Sequence, residues 1–248
     1  MNIFRTDWLR RAEALTRAGK PAQAGEAYLK AKRPRLAARA FSDGGDVDRA
    51  VAVMIEAGLT LDAADLYADA DRPREAVALY EAAGSYRRAA EAAIRGGQPG
   101  RAARLLENAG QLVGAADLFV ESGELDHAVR ALERETEALR TRRDATRDLE
   151  LEQRIAGLDE RRADYLEKLQ RPREAAGLWQ RLDRPKRAAM LFEQAGASED
   201  AARAWHDAGE DTRAFDAIRN AERPDPELAA VVYLHAGETH RAAEMFES

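Results

Sequence analysis

The chain has 248 residues, 45% hydrophobic and 34% charged, with a net charge of -6 and no cysteine. The missing cysteines exclude disulfides and thiolate metal sites and fit a cytoplasmic protein. The mean hydropathy is -0.57, and no apolar run approaches the ~20 residues needed to cross a bilayer. The acidic balance gives no general attraction to nucleic acid. Arginine outnumbers lysine 34 to 5, the composition of a GC-rich, bacterial genome.

One phrase of thirteen residues, seen in full from Arg72 to Gly84, recurs along the chain. With Ala76 as the register mark, steps of thirteen reach Ala24, Ala37, Ala50, Ala63, Ala89, Ala102, Ala115 and Ala128. The frame returns at Ala175, Ala188, Ala201 and Ala214, then slips by two to Ala229 and Ala242. With weaker copies marked by Arg11 and Arg162 there are seventeen units, and a repeat of this kind governs the fold. Four places after the mark stand ten of the fifteen aromatics, among them Tyr28, Phe41, Tyr67, Tyr80, Phe119 and Trp179. Leucine is frequent three places after it and alanine seven places after it, so the apolar residues line one helix face. Glycine follows at the eighth place, as in Gly84, and proline two residues later, as in Pro73 and Pro99. Each unit therefore predicts a helix of about ten residues, closed by glycine in a left-handed turn, with the next opened by proline. Helices this short are marginal alone and must cover one another's apolar faces.

In chain order, the first unit reads as a cap, with Trp8 in the proline column, Leu15 in the aromatic column and Arg10, Arg11 and Arg17 keeping the outer side wet. A first short-repeat array spans 1–133. Valine follows the mark at Val51, Val77 and Val129 and alanine at Ala38, Ala64, Ala90 and Ala116, which predicts helix pairs of 26 residues. Between Ala128 and Arg162 the spacing grows to 34, adding 21 highly charged residues without proline. This extension, 134–161, predicts a projecting helical hairpin turning near Thr146, with Asp148 as N-cap and Glu150 in the first turn; the rival is a single long bridging helix. A second array, 162–248, carries Trp179 and Trp205 and a longer loop at the frame slip, Arg223-Pro224-Asp225-Pro226. It stops without an alanine-glycine ending, which predicts exposed Met245 and Phe246. Either the chain continues in a longer protein, or this end docks on something, self-association included. Together the columns predict an all-α fold: an α-solenoid, a right-handed superhelix of antiparallel helix pairs, with one extended helical hairpin.

Units such as Ala115-Ala116-Asp117-Leu118-Phe119-Val120-Glu121-Ser122-Gly123 resemble the tetratricopeptide repeat, although pairs here repeat every 26 residues rather than 34. They are also similar to the solenoid arms of clathrin-like coat and intraflagellar-transport proteins. The resemblance implies a scaffold that binds proteins and carries over no catalytic residue.

Other chemistry finds little support. His127, His206, His235 and His240 show no metal-ligand spacing, and His235 and His240 fall on different helix faces. Asp43, Asp46 and Asp48 lack the length and closing glutamate of a calcium loop, and Asp46 reads as an N-cap. Gly96-Gly97-Gln98-Pro99-Gly100-Arg101 lacks the lysine of a phosphate loop. No cofactor, metal or catalytic set is expected. Basic residues do recur just before the mark, in the first helical turn, where the dipole disfavours them. Of these, Arg49, Arg74 and Arg101 fall on one edge and form a candidate contact for an acidic partner; the bland reading has their stems covering apolar neighbours and their heads pairing with Glu75 or Asp48. The functional expectation is a non-enzymatic protein–protein interaction scaffold, the regulatory or assembly arm of a larger bacterial protein. The alternative is a nucleic-acid-binding solenoid, which needs exposed rings for stacking.

Overall fold

The structure, a computed structural model, describes residues 3–146, 148–222 and 224–247. Among these residues there are seventeen helices and no strand, and each helix holds one mark of the sequence frame. The chain divides into two compact units, Met1–Ser122 and Gly123–Ser248. The first holds α1 (Ile3–Arg17), α2 (Pro21–Lys30), α3 (Pro34–Asp43), α4 (Val47–Glu56), α5 (Thr60–Asp69), α6 (Pro73–Ala82), α7 (Tyr86–Arg95), α8 (Pro99–Asn108) and α9 (Leu112–Glu121). The second holds α10 (Leu125–Thr146), α11 (Leu149–Lys168), α12 (Pro172–Arg181), α13 (Pro185–Gln194), α14 (Ser198–Asp207), α15 (Asp211–Arg219), α16 (Pro226–His235) and α17 (Thr239–Glu247). Within each unit every helix packs on the one before and the one after, so each is a tetratricopeptide-like helical array of the α-solenoid kind.

The turn explains the thirteen-residue period. At the end of α6 the Gly84 N–H donates to the Glu81 carbonyl at 2.9 Å and the Ser85 N–H to the Tyr80 carbonyl at 2.8 Å, the paired bonds of a Schellman motif. Gly84 supplies the left-handed φ of 69°. Ser85 is already the N-cap of α7, so termination and initiation share three residues. At four of the places where the frame has no glycine, Lys32, Asp71, Gln170 and Asp183 adopt φ of 56° to 57° instead. Proline opens α2, α3, α6, α8, α12, α13 and α16.

Packing follows the columns. Every alanine mark is fully buried or nearly so, which lets neighbouring helices approach closely. Tyr28, Phe41, Tyr80, Phe119, Trp179, Phe192 and Trp205 are buried one turn later, each contributing roughly 1.5–3 kcal/mol. Gly25 shows how tight the contact is: a Cβ there would come within 2.6 Å of the Phe41 ring. Two units depart from the frame. In α1 the buried residue is Ala12, while Arg11 is exposed with Arg10 and Arg17. In α11 the mark itself, Arg162, is buried.

The 21 extra residues lengthen a helix pair. α10 ends at Thr146 and α11 begins at Leu149, the two pack on each other, and the Asp148 carboxylate caps α11 by accepting from the Glu150 N–H at 2.9 Å. The single bridging helix is thereby excluded. Thr146 ends α10; Arg147 and Arg223 lie outside the described residues. At the chain end, Met245 is half-buried against the core of the second unit rather than exposed; the Phe246 side chain lies outside the described residues.

Candidate functional site

In the first unit successive helices reverse direction, so the even-numbered helices begin on one edge and the odd-numbered ones on the other. The even edge holds Arg49, Arg74 and Arg101, at the starts of α4, α6 and α8. Arg49 pairs with Glu26 of α2, and its guanidinium carbon lies 4.4 Å from the centre of the Phe41 ring. Arg101 pairs with Glu81 of α6 at 2.5 Å, and Arg74 donates to the Gly96 carbonyl at 3.3 Å. For Arg49 and Arg101 the unfavourable position of a cation at a helix start is thus offset by a carboxylate two helices back; Arg74 has only the carbonyl. The same columns meet again where Arg88 reaches Asp65 at 3.2 Å and Arg187 reaches Asp164 at 2.9 Å.

A second contact confirms the frame across the insertion. Arg72 reaches Asp48, 24 residues away, at 2.8 Å and Glu75 at 2.9 Å; Arg171 reaches Asp126, 45 residues away, at 3.2 Å and Glu174 at 2.6 Å. The separations differ by 21, the length of the insertion, so the extension leaves this packing unchanged. Asp48 also accepts from the Tyr67 hydroxyl at 3.0 Å, and the hydrogen bonds from Tyr67 and Arg72 hold its carboxyl below the ordinary range. Burial, then the bond to Asp48, pushes the Tyr67 phenol up.

The odd edge differs. Leu36, Leu61 and Tyr86 stand at the starts of α3, α5 and α7, spaced 25 residues apart, and all three are exposed. Beside Leu36, the residues Lys32, Arg33, Pro34, Arg35 and Leu59 line a depression of about 480 Å³. A second depression, against Arg35, Thr60, Leu61 and Ala83, adjoins it. Arg35 spans the two helices by pairing with Asp62 at 2.8 Å. The sequence frame gives no sign of this apolar row, because its members fall one, two and three places before their marks.

The remaining candidates are dispersed, except that two of the histidines meet. Asp46 caps α4, accepting from the Arg49 N–H at 3.2 Å. Gly97 forms the turn into α8, and Arg101 is occupied with Glu81. His240 pairs with Glu244 on its own helix at 3.2 Å. His206 and His235, 29 residues apart, stack with ring centres 4.8 Å apart.

No family model and no curated protein matches the chain. Among solved structures it is similar to a circular tandem repeat protein of novel repeat topology, at 16% identity over 98% of this chain and 75% of that one, with a TM-score of 0.28. An assembly chaperone of RpL4, residues 1–338, is 16% identical over 99% and 89%, with a TM-score of 0.22. BtubC from P. vanneervenii is 16% identical over 98% and 85%, with a TM-score of 0.16. Superpositions this poor carry no functional argument, and the fold rests on the chain's own helices. No described helix is long and apolar enough to cross a membrane.

Proposed function

We propose that the chain is a non-enzymatic scaffold for protein partners, the assembly or regulatory arm of a larger bacterial protein. Its first unit takes an acidic partner segment carrying large apolar side chains, laid along the edge where α3, α5 and α7 begin. The observation that carries this reading is the exposure of Leu36, Leu61 and Tyr86 at the starts of α3, α5 and α7, with Lys32 and Arg33 beside Leu36. Apolar side chains supply the anchors and the cations the charge complementarity. Arg49 and Arg101, on the opposite edge, already serve carboxylates of the fold. They become a second contact for an acidic partner only by exchanging those pairs.

The test is a library of acidic peptides screened against the wild-type chain and against Leu36→Asp/Leu61→Asp. Peptides with leucine or aromatic anchors should be retained by the wild type and lost by the variant, with unchanged melting of both. Binding should weaken as salt rises, as expected for a partly exposed charged rim. Retention indifferent to both substitutions sinks the assignment. The nucleic-acid reading is less favoured, because seven of the rings of the aromatic column, Tyr28, Phe41, Tyr80, Phe119, Trp179, Phe192 and Trp205, are buried and not open to stacking.

A further inference from the structure

We propose that His206, Asp211 and His235 form a binding site for one divalent transition-metal ion of the zinc class, held between α14, α15 and α16. His206 Nδ1 is 3.2 Å from Asp211 Oδ1 and 3.4 Å from His235 Nδ1, and His235 Nδ1 is 4.0 Å from Asp211 Oδ1. The point equidistant from these three atoms lies about 2.1 Å from each, the bond length zinc makes to imidazole nitrogen and carboxylate oxygen.

The donor set selects the ion. Two imidazole nitrogens and one carboxylate oxygen suit zinc, cobalt or nickel, whereas calcium and magnesium require oxygen cages. Electrostatics favour a cation at this point. His206 lies in the last turn of α14 and His235 ends α16, so both stand at the negative ends of helix dipoles. Asp211 is the first residue of α15, whose dipole opposes a cation, and its carboxylate offsets that end.

The rings are stacked with 27° between their planes. To place both lone pairs on one ion they must turn about χ2, a soft torsion with broad wells. The side chains of His235 and Asp211 are 48% and 40% exposed, so the turn is unobstructed on the solvent side and an ion has an entry path. Three protein ligands leave a fourth position for water or a partner's side chain.

The position in the frame gives the site a purpose. Between α15 and α16 the spacing of marks slips from thirteen to fifteen: α15 ends at Arg219 and α16 begins only at Pro226, whereas α14 and α15 are three residues apart. Coordination by one residue from each of α14, α15 and α16 ties α16 to the array across that longer connection. The sequence conceals the site because its histidines are 29 residues apart and converge only when α16 reaches past α15 to α14.

The test uses the full chain, free of any histidine tag and washed with chelator, titrated with Zn²⁺ in a calorimeter. One ion per chain is expected, together with a rise in melting temperature, because the ligand set exists only in the folded state. His206→Ala, His235→Ala and Asp211→Asn should each weaken binding by about tenfold or more, since even outer partners of ligands cost that much. His127→Ala/His240→Ala should bind as the wild type does, and excess Mg²⁺ should not compete. Circular dichroism of each variant establishes that it folds. As a measurement free of substitution, Co²⁺ should give visible absorption of a low-coordinate N/O site. Absent binding, binding unchanged in folded His206→Ala and His235→Ala, or loss confined to His127→Ala/His240→Ala overturns the proposal.

Discussion

Arg187 lies over Trp179, its guanidinium carbon 3.9 Å from the ring centre, while its Nη2 bonds both Asp164 and Glu167. Glu167 also accepts from the Trp179 indole N–H at 2.7 Å. Three consecutive helices, α11, α12 and α13, are thereby fastened at one arginine. Arg49 over Phe41 with Glu26 repeats the arrangement in the first unit. Arg213 covers Trp205 in the same way, 4.6 Å from its ring centre.

Removing this cover should cost stability through lost packing as much as lost charge. Arg187→Ala and Arg49→Ala should each lower unfolding free energy by about 1–2 kcal/mol, the range for a partly desolvated cation over a ring. Arg74→Ala, with a single 3.3 Å contact to a carbonyl, should stay within about 0.5 kcal/mol. Urea titrations of the three variants measure this. Equal effects would show that ring coverage is not what the column supplies.

The turn makes a paired prediction. An added Cβ at Gly84 meets nothing within 4 Å, so only its φ of 69° opposes a side chain. Gly84→Ala should therefore cost about 1–2 kcal/mol, the left-handed penalty. Lys32 holds the same column with φ of 57° and already carries that penalty. Lys32→Gly should raise stability, by about 0.5–1 kcal/mol once the extra freedom of unfolded glycine is subtracted. Opposite signs at equivalent places in the frame are the expected result in chemical denaturation.

Stability should also fall in alkali for an identifiable reason. Tyr80 is buried and donates its hydroxyl to Asp65. Burial first, and then that bond, push its phenol from 10.0 up to about 12. The fold thus prefers the protonated ring. Its contribution is complete below the unfolded value near 10 and disappears as pH rises through about 12. Tyr80→Phe should be less stable at neutral pH, yet lose stability less steeply over that window. Denaturation midpoints of both proteins at several alkaline pH values check the difference in slope.

The columns made the helices, their turns and the extended pair readable, because each rests on local chemistry: a small residue, a ring, a left-handed position, a proline. The left-handed turns at Lys32 and Asp71 were not read from the sequence, because no glycine marks the column there. The partners of the basic column were not readable. Arg49 meets Glu26, and Arg88 meets Asp65, because alternate helices lie side by side, which depends on packing rather than spacing. The edge row of Leu36, Leu61 and Tyr86 stayed hidden for a related reason: exposure is set by which edge a helix start occupies.

One position contradicts its column and sharpens the last prediction. Where other units bury alanine, α11 buries Arg162, whose Nη1 is 2.8 Å from Asp159 and whose Nη2 is 2.8 Å from Glu133. Asp159 is buried too and also pairs with Arg140 of α10. Asp159→Ala takes the buried carboxylate from two guanidiniums and leaves Arg162, deep between the long helices, with Glu133 as its remaining carboxylate. It should cost about 3–5 kcal/mol, as breaking a buried pair from one side does. Asp159→Leu/Arg162→Met removes both charges and should recover most of that loss, because desolvating the pair was itself costly. A double-mutant cycle in urea decides the matter. If the double variant is no more stable than Asp159→Ala, the network contributes net stability rather than specifying how α10 and α11 pair.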